Sequence, residues 1–220
     1  MNAKSKAVIF DMDGVILDTE KLYTKAEVRL FAEYGVRIPE EDWDLFRGCA
    51  EEDFFNLSMQ RYNIVENKQR FMDKGRKYVR QEFIENLTFM PGFHNLHTRI
   101  VNNSYKTGLV TASPRHNLNW VRTLVNLDDF FAHIISGEDT KNNKPHPDPY
   151  IAMLSRLKTS PQNTVIIEDS INGIQAGLAS GSFVIAKTGS VPKSKLKIAH
   201  KVVEHLDEIT LNMIKDVLKS

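Results

Sequence analysis

The sequence predicts an open parallel α/β sheet carrying an inserted, all-helical domain. Three observations carry that expectation. Short apolar runs recur along the chain: Ala7-Val8-Ile9-Phe10, Gly108-Leu109-Val110, His133-Ile134-Ile135, Val165-Ile166-Ile167, Phe183-Val184-Ile185 and Lys201-Val202-Val203. They are rich in β-branched residues and do not alternate with polar ones, which suits strands buried on both faces. Stretches of helical character separate them, near 95–102, 114–125, 149–157 and 172–179, as βαβ units require. The third observation is an exception: residues 17–88 hold no such strand.

Within that exception Leu22, Ala26 and Leu30 follow helical spacing, with Tyr23, Phe31 and Tyr34 alongside. Gly35 stands where a helix would end. Pro39 followed by Glu40, Glu41 and Asp42 suits the first turn of the next helix. Met72, Val79 and Phe83 mark a later one, and Trp43, Phe46, Phe54 and Phe55 read as the core of the insert. Pro91-Gly92 reads as the turn back. The expected organisation is an α/β core at 1–16 and 89–220 and a helical domain at 17–88, with hinges near 15–18 and 88–92.

A chain of 220 residues, 41% hydrophobic and 26% charged, is an ordinary globular mix. The formal net charge of +1 gives no global electrostatic reason to expect nucleic acid or a membrane surface as partner. Cys49 is the single cysteine, so no intrachain disulfide forms and a reducing compartment is compatible. The apolar runs are strand-sized, and the start MNAKSKAVIFDMDG is too polar for a signal peptide. A cytoplasmic monomer is the expectation.

Parallel strands point the same way, so the residues following them converge on one sheet edge, where open α/β sheets bind ligands. The first strand runs into Asp11-Met12-Asp13-Gly14 and the second ends at Thr111-Ala112-Ser113. Lys144 follows the third, and the fourth ends at Glu168-Asp169-Ser170. Four carboxylates, one hydroxyl and one ammonium suit a hard divalent metal and an anionic substrate. Two unit charges at about 4 Å interact by about 4 kcal/mol at an effective dielectric near 20, so Lys144 alone does not offset four acids facing a phosphate. A bound cation does.

These motifs, in this order, resemble those of the haloacid dehalogenase superfamily, over nearly the whole chain. Asp11 through Glu20 is similar to its first motif, Thr111 to the second, Lys144 to the third and Glu168-Asp169 to the fourth. The resemblance is closer to the β-phosphoglucomutase and sugar-phosphatase branch. It implies a Rossmann-like α/β core with a helical cap, and a Mg2+-dependent phosphatase for a small phosphorylated metabolite such as a sugar or polyol phosphate. Asp11 would be the nucleophile and Asp13 the general acid and base. Thr111 would donate to a phosphate oxygen and Lys144 would neutralise the phosphoryl group. Asp11, Asp13 through its carbonyl, and Asp169 would hold Mg2+, with Glu168 either a ligand or an acid behind it. Ser113 joins the phosphate-binding set, and the hinged cap would admit substrate and exclude water. Asp13 argues for phosphate esters, because dehalogenating and phosphonate-cleaving relatives lack a second acid there.

Mutases of this branch carry a His where this chain has Tyr23, and an Arg where counting from Gly48 reaches Glu51. Both departures favour a phosphatase over a mutase. Arg47, Glu51 and Tyr23 are expected near the leaving group. A non-catalytic binding protein on the same fold is a further alternative. A receiver module is disfavoured by the early acid pair and the insert.

Other features read as structural. Cys49 has Phe55, not Arg, six residues on, which argues against a cysteine phosphatase. His94 and His97 read as packing residues, and His146 as a neighbour of the site. Gly173, Gly177 and Gly181 suggest a helix packed closely on the sheet, and the lysines between 187 and 201 a solvated loop.

Overall fold

The computed structural model describes residues 5–46 and 51–218. Six parallel strands form one sheet in the order β3-β2-β1-β4-β5-β6. They are β1 (Ala7–Phe10), β2 (Lys106–Val110), β3 (Ile134–Ile135), β4 (Thr164–Glu168), β5 (Phe183–Lys187) and β6 (Lys201–Val203). Register pairs Phe10 with Leu109 on one side and with Ile167 on the other. Asp11 and Thr111, which follow β1 and β2, and Glu168, which ends β4, therefore finish at one edge.

The chain divides into two compact units, residues 1–18 with 88–220, and residues 19–87. The first holds the sheet and helices α5 (Phe93–Asn102), α6 (Arg115–Leu124), α7 (Asp148–Leu157), α8 (Ile171–Ala179) and α9 (Leu211–Val217). β1 is buried along its whole length, as its unbroken apolar run requires. Its alternate side chains serve two cores. Ala7 and Ile9 join Tyr150, Met153, Ile166 and Ile174. Phe10 meets Phe93 and Phe131 on the opposite face, at ring distances of 5.9 and 5.7 Å.

Glycine lets α8 approach the sheet. A Cβ on Gly177 would stand 2.8 Å from a Val184 methyl, and one on Gly173 would strike the Glu168 carboxylate. Gly181 lies beyond the helix and takes φ +81° for the turn into β5. His97 is buried and donates from Nε2 to the Phe130 carbonyl at 3.0 Å, while the His94 ring packs on Phe89 at 4.6 Å. Both histidines are packing residues.

The second unit is all helical among its described residues: α1 (Glu20–Ala32), α2 (Trp43–Phe46), α3 (Glu51–Arg61) and α4 (Lys68–Asn86). Its core gathers Leu30, Phe31, Phe46, Phe54, Phe55 and Phe71, with Trp43 packed alongside. The segment after Pro39 forms a single tight turn, Glu40–Asp42, before the short α2. The buried Asp42 accepts from Arg61 Nε at 2.6 Å and Tyr62 Oη at 2.7 Å, fixing that turn to the end of α3 and the residue after it. Hydrogen bonds from Arg61, then Tyr62, hold the Asp42 carboxyl below its usual range. A carboxyl with a depressed folded pKa stabilises above its unfolded value and loses that contribution as pH falls through the folded one. Asp42→Asn should therefore lower Tm at pH 7, and the difference from wild type should shrink below about pH 4. A pH-independent difference between pH 3 and 7 would contradict this.

The chain passes between units through paired segments that belong to the first. Asp18 N donates to the Thr88 carbonyl at 3.1 Å and Met90 N to the Ile16 carbonyl at 2.7 Å. The short α9 was not foreseen, although Leu211, Ile214 and Leu218 keep helical spacing and Thr210 caps its start. Among the described residues no helix is long and apolar enough to cross a membrane.

Candidate active site

The loop after β1 is a tight turn. Ile16 N and Leu17 N both donate to the Met12 carbonyl, at 2.9 and 3.0 Å, and Gly14 sits at φ +70°. That conformation favours glycine. Space demands glycine as well, since a Cβ would stand 1.8 Å from Asp169 Oδ2.

Asp11 is buried, its amide held by the Ile167 carbonyl at 3.0 Å. Lys144 Nζ donates to Asp11 Oδ1 at 2.5 Å, to Glu168 Oε1 at 2.7 Å and to the Val110 carbonyl at 3.0 Å. The lysine side chain is 3% exposed, so this charge belongs to the interior. Glu168 is held from both ends. Tyr150 donates to Oε1 at 2.7 Å, and Asp169 N, Ser170 N and Ser170 Oγ donate to Oε2 at 3.0, 3.2 and 3.0 Å. With Lys144 that makes five donors to this one carboxylate. On the opposite side Ser113 Oγ donates to Asp13 Oδ2 at 3.3 Å, and Thr111 Oγ1 accepts from Ser113 N at 3.0 Å.

The electrostatics follow from burial. Desolvation drives the Asp11 carboxyl up to about 8 against the pull of Lys144, with Glu168 and Asp13 adding to the rise. Burial also works against the Lys144 charge, but Asp11 and Glu168 outweigh it and hold the ammonium above its ordinary value. For Glu168 burial is outweighed by Lys144, Tyr150 and Ser170, so this carboxyl stays below its usual range. Burial, then the Glu168 and Asp11 charges, push the Tyr150 phenol well up, so it remains a donor. One acid is thus kept ionised by its donors while its neighbour lacks a full complement of positive charge. Ligand oxygens of Asp11, Glu168 and Asp169 lie within 4.8 Å of one another. An all-carboxylate, buried donor set with a charge deficit fits a hard metal cation.

Sequence reasoning brought Asp11, Asp13, Thr111, Ser113, Lys144, Glu168 and Asp169 to one edge, and the structure groups them there. The residues expected from the insert stand differently. Arg47 lies outside the described residues, as do Gly48 and Cys49. Glu51 forms a two-pronged ion pair with Arg76, 2.8 Å at each contact, which holds its carboxyl low and takes up its charge. That pair weakens the charge argument by which Glu51 would repel a second phosphate. Tyr23 is part-exposed and packs edge-on against Phe83 at 5.4 Å. His146 lies 3.0 Å from Asp148 and contacts none of the site acids among the described interactions.

Three participants were missed. Tyr150 and Ser170 support Glu168, and the Ser190 hydroxyl donates to Asp169 Oδ2. The spacing from Lys144 to Tyr150 could have hinted at the first, since Lys144 shortly precedes α7 and Tyr150 lies in its first turn. Lys187 is also corrected. It is buried, because β5 runs two residues past its apolar core, and its Nζ donates to the Thr188 carbonyl at 2.8 Å.

Fold and site together define a class: α/β enzymes with an acidic, cation-competent centre, and a buried lysine paired with its acids, at the carboxyl edge of a parallel sheet. The chain belongs to the haloacid dehalogenase-like hydrolases, whose family model matches residues 8–187. It is 30% identical over 217 residues to a phosphorylated carbohydrates phosphatase of Thermotoga maritima, covering 97% of this chain and all of that one. Hexitol phosphatase B of Escherichia coli is 29% identical over 223 residues, covering 96% of each chain. A solved β-phosphoglucomutase structure from Clostridium difficile superposes with a TM-score of 0.74 at 27% identity, over 98% of this chain and 97% of that one.

Proposed function

We propose that this hydrolase is a Mg2+-dependent phosphatase acting on a small phosphorylated sugar or polyol through an aspartyl-phosphate on Asp11. The observation that carries the reading is the buried Asp11, joined to Lys144 at 2.5 Å and backed by Glu168 and Asp169. Lys144 fixes one Asp11 oxygen and leaves the other for attack on phosphorus. As the Asp11 oxygen–phosphorus bond forms, the ester oxygen–phosphorus bond breaks and Asp13 gives its proton to the departing alkoxide. Water then attacks phosphorus, Asp13 takes a proton from it, and the Asp11–phosphorus bond breaks to release phosphate. Ser113 holds Asp13 for both transfers, and Thr111 Oγ1, having accepted from Ser113 N, is free to donate its proton to a phosphoryl oxygen. Asp11, Asp169 and the Asp13 carbonyl would hold Mg2+, which when bound supplies positive charge to the phosphoryl oxygens. Glu168, with five donors of its own, keeps Lys144 charged and in place. Tyr23, Arg47 and Glu51 are assigned to the leaving group, with the helical unit acting as a cap hinged at 15–18 and 88–92.

The two phosphatases similar to this chain support hydrolysis as the outcome, and the matched β-phosphoglucomutase keeps a mutase as the second reading. Phosphate release from a panel of sugar and polyol phosphates, with and without Mg2+, separates them. Metal-dependent release supports the phosphatase, and the preferred ester identifies the substrate. Isomerised sugar phosphate formed only with a bisphosphate primer would replace this reading with the mutase. Neither product would leave a binding protein. Arg47→Ala and Glu51→Ala with unaltered substrate preference would remove those two from the leaving-group site.

A further inference from the structure

The loop after β5, read from sequence as solvated, returns to the acidic centre. Gly189 takes φ +142°, a conformation that favours glycine, and directly after it Ser190 is buried with its hydroxyl on Asp169 Oδ2. The fit there is close on all sides. A Cβ on Gly14 would stand 1.8 Å from that same Asp169 oxygen and 2.8 Å from Ser190 Oγ, so the three residues share one small volume.

We infer that Ser190 is a positioning residue for the metal site: its hydroxyl fixes the Asp169 carboxylate through Oδ2 and directs Oδ1 toward the cation. The inference rests on the Mg2+ reading above. A carboxylate that must find its rotamer on binding loses orientational freedom at that moment, whereas one already held by a hydroxyl does not. Ser190 reaches Asp169 from a different strand connection, so it couples the end of β5 to the end of β4 at the point where the metal would sit. Gly14 completes the arrangement by leaving room for both side chains.

The test is a calorimetric titration of the full chain with Mg2+ alone, with no substrate present. Ser190→Ala should raise the Mg2+ dissociation constant by about tenfold, the usual effect of removing an outer partner of a metal ligand. Ser190→Thr, which keeps the hydroxyl, should stay within about threefold of wild type, and the Mg2+-induced rise in Tm should shrink in the alanine variant alone. A Ser190→Ala constant within twofold of wild type would overturn the inference while leaving the Mg2+ reading intact. Equal weakening in both variants would assign the effect to loop packing and also overturn it. A wild type that binds no Mg2+ would remove the metal reading and this inference with it.

Discussion

Asp11→Asn should reduce phosphate release by about 10^4-fold or more, with the fold unchanged. Asparagine keeps the shape of the side chain and can still accept a hydrogen bond from Lys144, but its amide is no nucleophile toward phosphorus. Uncatalysed phosphate monoester hydrolysis is among the slowest reactions enzymes meet, so little background remains once the covalent step is lost. The far-ultraviolet spectrum should match wild type, because the substitution is nearly isosteric. Steady-state release of phosphate from the preferred ester checks the prediction. A loss under tenfold would show that water attacks phosphorus directly.

Lys144→Met should damage both activity and stability. The side chain is 3% exposed and joins Asp11 and Glu168 at 2.5 and 2.7 Å. Methionine fills a similar volume but removes the cation between two buried carboxylates. Breaking a buried ion pair on one side costs about 3 kcal/mol or more, because the remaining charge stays desolvated. For a chain of 220 residues that corresponds to a fall in Tm of roughly 6–12 °C without added metal. Catalysis should fall by about 10^2- to 10^3-fold, since a preorganised positive group facing the phosphoryl oxygens is lost. Thermal unfolding in chelator, together with phosphate release, measures the two effects separately. An unchanged Tm would contradict the interior ion pairing on which the assigned roles of Lys144 and Glu168 depend.

The contrast between what the sequence reveals and what it conceals follows from geometry. In a parallel sheet the residue after each strand has a fixed destination. Asp11, Thr111 and Glu168 could therefore be gathered at one edge without coordinates, and Lys144 and Asp169 came with them. The β-branched runs were equally legible because strands buried on both faces tolerate no alternation. Side chains that reach the centre from loops carry no such signal. Ser190 lies in a lysine-bearing loop with no motif, and only the return of the chain at Gly189 brings it to Asp169. Glu51 and Arg76 are 25 residues apart on different helices, so their pairing belongs to tertiary packing and not to any local spacing. Lys187 looked solvated because a strand's polar extension cannot be told from its following loop by hydropathy. Gly173 was readable as close packing, but not that the group it makes room for is the Glu168 carboxylate.

The central claim is that phosphate is released in two displacements at phosphorus, the first by Asp11. Each displacement inverts configuration, so the pair must give net retention, whatever the lifetime of the intermediate. The measurement is the stereochemical course of hydrolysis of a sugar phosphorothioate made chiral with 18O, run in water enriched in 17O. Net retention is the result expected of an aspartyl-phosphate on Asp11. Net inversion would mean a single attack by water and would contradict the account.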